Sequence, residues 1–191
     1  MPLKLIRQNY WQVVGKGSVL LSNSPSLDQL GELYTGRIVE EAALLSKAPA
    51  IIAKEIPNPP DSITSQAIKS EFEANTHRLV EELGIMGMLV VRGKNDPGIE
   101  IRAAQAESET GITIDIVKDT LGTDFELKLG SEKSNSQDGS GNIQTIWIGL
   151  GPEERGLRKE LVVSRIADLI GVINGKLGWS ESDKRTSDIL D

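Results

Sequence analysis

GIEIRAAQAESETGITIDIVKDTLGTDFELKLGSEK, from Gly98 to Lys133, is the stretch on which the reading of this chain turns. Three runs in it place an apolar residue at every second position: Ile99, Ile101 and Ala103; Ile112, Ile114 and Ile116; Phe125, Leu127 and Leu129. Between them stand Glu100 and Arg102, Thr113 and Asp115, Glu126 and Lys128. A period of two means one face buried and one wet, so each run is expected as a half-buried strand. Short polar turns between the runs imply antiparallel pairing. Ile99–Ala103 and Ile112–Val117 are therefore expected as a hairpin whose isoleucines face a helical layer.

The flanks extend this pattern. IMGMLVVR (85–92) is apolar on both faces, as a central strand is, and IQTIWIGLG (143–151) reads as a further strand. A helix capped by Asp61 or Ser62 runs to Leu83 with the stripe Ile68, Phe72, Leu79 and Leu83, and Gly84 suits its C-terminal turn. A last helix, Glu153 to Asn174, carries Val162, Ile166, Leu169, Ile170 and Ile173. The class expected is α+β: a mainly antiparallel sheet of four to five strands flanked by two helices, which cover one face.

Upstream, IPNPPDS holds Pro57, Pro59 and Pro60 and marks a stiff boundary. Before it, a helix from Ser26 carries the stripe Leu27, Leu30, Tyr34, Ile38, Glu41 and Leu45, weakened by Gly31 and Gly36. Residues 1–23 read as an arm or a hairpin. The division expected is 1–60 for arm, helix and linker, 61–178 for the α+β core, and 179–191 for a polar tail. Leu5, Trp11 and Val13 at one end and Trp179, Ile189 and Leu190 at the other are apolar side chains on segments too short to bury them alone. They are expected as interaction residues between subunits.

Net charge is −7 over 191 residues, which disfavours a broad basic face for nucleic acid or an anionic membrane surface. No cysteine is present, so there is no disulfide framework and no thiol nucleophile. The N-terminus lacks the apolar run of a signal peptide, and synthesis in a cytoplasm is expected. The nucleotide motifs fail. Gly149 and Gly151 match a dinucleotide fingerprint, but Glu154 stands at its third glycine, and Glu153 and Glu154 place negative charge where phosphate would sit. His77, the single histidine, lies between Glu73 and Glu81 at four-residue spacing, which is the pattern of a solvated helix face. Catalysis is not expected to depend on His77, Glu153 or Glu154. No cofactor and no metal are expected.

The order alternating strand (IEIRAAQA), turn ending in glycine (ESETG), strand (ITIDIV), strand (FELKLGS), polar loop, strand (IQTIWIGL) and terminal helix (ELVVSRIADLIGVIN) resembles a module of tailed-bacteriophage virion proteins, including tail sheath and other tail and head components. That module usually reads Gly-x-x-Gly-Asn at its turn, where this chain has Glu107 to Gly111. The resemblance implies a non-enzymatic assembly protein of a phage tail or neck, or a head decoration protein. It would form homo-oligomers and contact neighbouring virion proteins in the host cytoplasm and then in the virion. The alternative is an enzyme domain binding a small ligand or nucleotide at the Gly149–Gly151 bend.

Overall fold

Leu20 and Leu21 are consecutive in the chain and fully buried, yet they belong to separate hydrophobic clusters. Consecutive strand residues point to opposite faces, so both faces of the sheet that holds them are covered. The computed structural model describes residues 3–7, 10–23, 34–53, 63–103, 114–129 and 143–178. Its elements are β1 (Leu3–Ile6), β2 (Tyr10–Val14), β3 (Val19–Asn23), α1 (Thr35–Ser46), β4 (Ala50–Ala53), α2 (Ile63–Leu83), β5 (Gly87–Gly93), β6 (Ile99–Ala103), α3 (Ile114–Leu121), β7 (Leu127–Leu129), β8 (Gln144–Leu150), α4 (Pro152–Arg155) and α5 (Lys159–Lys176).

The class is α+β, with one mixed sheet larger than the four to five strands expected. Its eight strands run in the order β1-β2-β4-β3-β5-β8-β6-β7. The central four, β4, β3, β5 and β8, are mutually parallel. The β1–β2 hairpin joins β4 antiparallel on one flank, and β6 joins β8 antiparallel on the other. Parallel strands need crossover connections, and here these carry α1 and α2. Helices α1, α3 and α5 supply Ile38, Val39, Val117, Leu121, Ile166 and Ile170 to one face, against Leu21, Leu89, Ile101 and Ile148 of the sheet. On the other face, α2 places Phe72, Leu79 and Val80 against Leu20, Val90 and Trp147. Two helices on a single face, as expected from sequence, would have left this second cluster open to water.

Three further expectations change. The run Ile112–Val117 does not pair with β6: from Ile114 the chain is helical, and Val117 is fully buried beside Ile116 and Leu121. Strand β6 pairs instead with β8 and, in parallel, with β7. The first helix buries Thr35, Ile38, Val39, Ala42 and Ala43, while Tyr34 and Leu45 are exposed, so its stripe is rotated from the one expected. Small residues set that rotation: a Cβ on Gly36 would lie 3.0 Å from Ile52, so the first turn sits close on β4. The part of that helix expected before Tyr34 lies outside the described residues. The last helix is broken at Gly156–Arg158 into α4 and α5.

The hairpin reading of the N-terminus is the one that forms. Val13 is fully buried, Leu5 is half-buried, and Trp11 packs against the main cluster. A Cβ on Gly15 would stand 2.2 Å from the Ala48 carbonyl carbon, so only glycine lets the β2–β3 link pass the end of α1. Trp179, Ile189 and Leu190 lie outside the described residues.

Ion pairs tie the helices together. Glu41 accepts from Lys159 Nζ at 2.7 Å and from Arg37 Nε at 2.9 Å, linking α1 to α5. Partial burial pushes the Glu41 pKa up, but the bonds and charges of Lys159 and Arg37 outweigh it and hold the group below its ordinary value. Asp124 is likewise lowered, first by the Thr123 hydroxyl and then by Arg165. A carboxylate whose folded pKa lies below its unfolded one contributes stability above the unfolded value and loses it as pH falls through the folded one. E41Q and D124N should therefore each lower the urea midpoint at pH 7, and the gap to the parent should close below about pH 4. A gap that stays constant down to pH 3 would remove these groups from the account of acid sensitivity.

Candidate functional site at the carboxyl ends of β3 and β5

In open parallel sheets, ligands bind where neighbouring strands send the chain in opposite directions from their carboxyl ends. The chain leaves β3 toward β4 and leaves β5 toward β6 and β8, and β3 and β5 are paired neighbours. Topology places such a crevice at the ends of β3 and β5, at Asn23 and Arg92–Gly93.

On the β3 side, Asn23 is buried, and its side chain acts as a strand partner. Its Nδ2 donates to the Ala53 carbonyl at 3.3 Å, and its Oδ1 accepts the Ala53 N–H at 2.8 Å. The ends of β3 and β4 are thereby clamped. Tyr34, which leads into α1, has φ 80° and ψ −15°. This left-handed conformation costs a non-glycine residue about 1–3 kcal/mol, and such strain concentrates at functional sites. Its ring is exposed.

On the β5 side, register sets Arg92 beside Gly149 of β8 and Gly149 beside Glu100 of β6. Val90, Trp147 and Arg102 form the next row. The Arg92 guanidinium lies 5.6 Å from the centre of the Trp147 ring. Its Nε is buried without a hydrogen-bond partner, and Arg92 forms no ion pair among the described residues. The Lys94 stem crosses Gly149, with Cδ 3.5 Å from where a Cβ would be, and its ammonium donates to the Pro97 carbonyl at 3.0 Å. Glu100 is paired with Arg102 at 3.0 Å.

The Gly149–Gly151 bend is closed by its own contacts. The Gly151 N–H donates to the Gly98 carbonyl at 3.0 Å, and Glu154 accepts the Gly98 N–H at 3.2 Å. Arg155 donates to the carbonyls of Leu150 and Lys94. No backbone cradle is left there for a phosphate. Glu154, expected as a surface cap, is buried and holds the β5–β6 turn, whereas Glu153 is exposed. His77 sits half-buried on α2, on the opposite side of the sheet from α1, α3 and α5. Among the site residues, Arg92 had a visible signal: a cation ending the apolar run MLVV, where a strand emerges from the core. Asn23 had none, because its partner lies 30 residues away.

Neither a protein-family model nor a curated protein sequence matches the chain. Solved structures do resemble it in fold. A bacteriophage poly-gamma-glutamate hydrolase superposes with a TM-score of 0.55 at 10% identity, over 90% of this chain and 91% of that one. The CwlD amidase from Clostridioides difficile gives 0.55 at 11%, over 84% and 98%. YNDL in a zinc-free form gives 0.51 at 12%, over 86% and 89%. These likenesses overturn the resemblance to tail-sheath and other virion modules, and with it the reading of a non-enzymatic tail, neck or head-decoration component. The order of elements over Gly98–Ile173 misled because its second strand is a helix and its sheet continues through β1–β5. The bend on which the alternative reading relied is closed.

Zinc, named for one neighbour, is held by histidine, cysteine and carboxylate side chains. This chain has no cysteine and one histidine, and the described residues bring no three such groups together. At the crevice they present cations, Arg92 and Lys94. The described donor set does not fit zinc.

Proposed function

We propose that this chain is a hydrolase-type enzyme domain that takes an amide-linked substrate across the carboxyl ends of β3 and β5. The observation that carries this reading is the switch point between those strands, in a sheet whose structural neighbours include a poly-gamma-glutamate hydrolase and an amidase. Asn23 holds β3 to β4 at the strand ends on the α1 face of the sheet, and the Trp147–Arg92 stack stands at the strand ends on the α2 face. The test is to incubate the full chain with poly-γ-glutamate and with short glutamyl peptides. Release of new primary amines, saturating with substrate, together with a ligand-dependent rise in Tm, is expected. If none of these substrates releases amine or raises Tm, the reading is overturned.

A further inference from the structure

We infer that Arg92 receives a carboxylate of the substrate and so selects acidic over neutral amide-linked chains; this rests on the proposed hydrolase reading. The protein carries a net charge of −7, yet Arg92 and Lys94 meet no carboxylate among the described residues. Several other cations are paired: Lys4 with Glu40, Lys159 with Glu41, and Arg165 with Asp124. On β6, one strand beyond β8, Arg102 is neutralised by Glu100. Arg92 differs from the other cations without a carboxylate among the described residues in its place: its Nε is buried, its guanidinium lies against Trp147, and it stands with Lys94 at the end of β5, where topology locates the site.

The Arg92 Nε is buried without a partner and the guanidinium forms no ion pair among the described residues, so its outer edge is the part that an ionised acceptor would meet. Trp147 holds the guanidinium in place from one side, which leaves its planar fork to meet a planar carboxylate by two parallel hydrogen bonds. Lys94 adds a second positive charge beside it, with its stem resting in the space that glycine leaves at position 149. Across Gly149, one strand beyond, stands Glu100. A monoanionic carboxylate tolerates that neighbour better than a dianionic phosphate does.

The test compares affinities of the full chain for a γ-linked glutamate tetramer and for the same tetramer with its side carboxylates amidated. The parent should prefer the acidic form by about 10–100-fold, the scale of a charge-assisted hydrogen-bonded pair. In R92Q that ratio should fall toward one, and R92K, which keeps charge but not the fork, should retain part of it. Unfolding midpoints for both variants establish that they fold; if R92Q does not, the R92K ratio decides. Equal binding of both tetramers by the parent, or a preference that survives in R92Q, overturns the role of Arg92 and leaves the hydrolase reading standing. Failure of both tetramers to bind removes both. Inorganic phosphate displacing the acidic tetramer where acetate does not would overturn the assignment to carboxylate.

Discussion

Val117→Asp is expected to cost several kcal/mol against a typical total stability of about 5–15 kcal/mol, and Asp119→Ala almost nothing. Val117 is fully buried on α3 and belongs to the cluster shared with α5 and the sheet, while Asp119 is exposed. The pair separates helix from strand sharply. In an alternating strand with Ile112, Ile114 and Ile116 inward, Val117 would face water and tolerate the charge. Urea midpoints decide: equal values for the two variants would restore the strand and remove α3 from the fold.

Asn23→Ala should be the most damaging polar substitution among the described residues at the crevice. It leaves both the N–H and the carbonyl of Ala53 without the side chain that pairs them, in a buried position. Each such loss is worth about 1–3 kcal/mol. Asn23→Asp keeps an acceptor for the N–H but turns charge toward a carbonyl, so it should not rescue. Ser22→Ala removes one bond, from its hydroxyl to the Asn23 carbonyl, and should cost about 1 kcal/mol. Amide exchange at Ala53 gives a local readout. If it is no faster in Asn23→Ala than in the parent, the clamp does not hold β4.

Where packing follows local period, the fold was legible. Ile68, Phe72 and Leu79 on α2 are buried as their spacing implied, and so are Val162, Ile166, Leu169, Ile170 and Ile173 on α5. Strands β5, β6 and β8 were also readable, from continuous or alternating apolar runs. What failed depends on partners distant in sequence. Ile112, Ile114 and Ile116 satisfy the strand period and Ile114, Val117 and Leu121 the helical one, and α3 packing on α5 selects the helix. Leu5, Trp11 and Val13 looked unaccommodated because β4, which completes their sheet, lies beyond α1. The crevice was invisible for the same reason: it exists only once β3 and β5, whose paired residues are 68 apart in the chain, lie side by side.

The placement of β8 between β5 and β6 has a consequence for the chain as it is made. Until residue 150 has emerged, β5 and β6 each present an unpaired edge, and β5 is apolar on both faces. Such edges template pairing between chains, and non-local parallel contacts close slowly. The earlier part of the sheet, β1 to β5, is complete in order by residue 93 and can wait as a unit. The long excursion through β6, α3 and β7 must then be held open for its final strand. Over that interval the unpaired edges of β5 and β6, rather than any weakness of the finished core, are the features by which this chain is exposed to pairing with others.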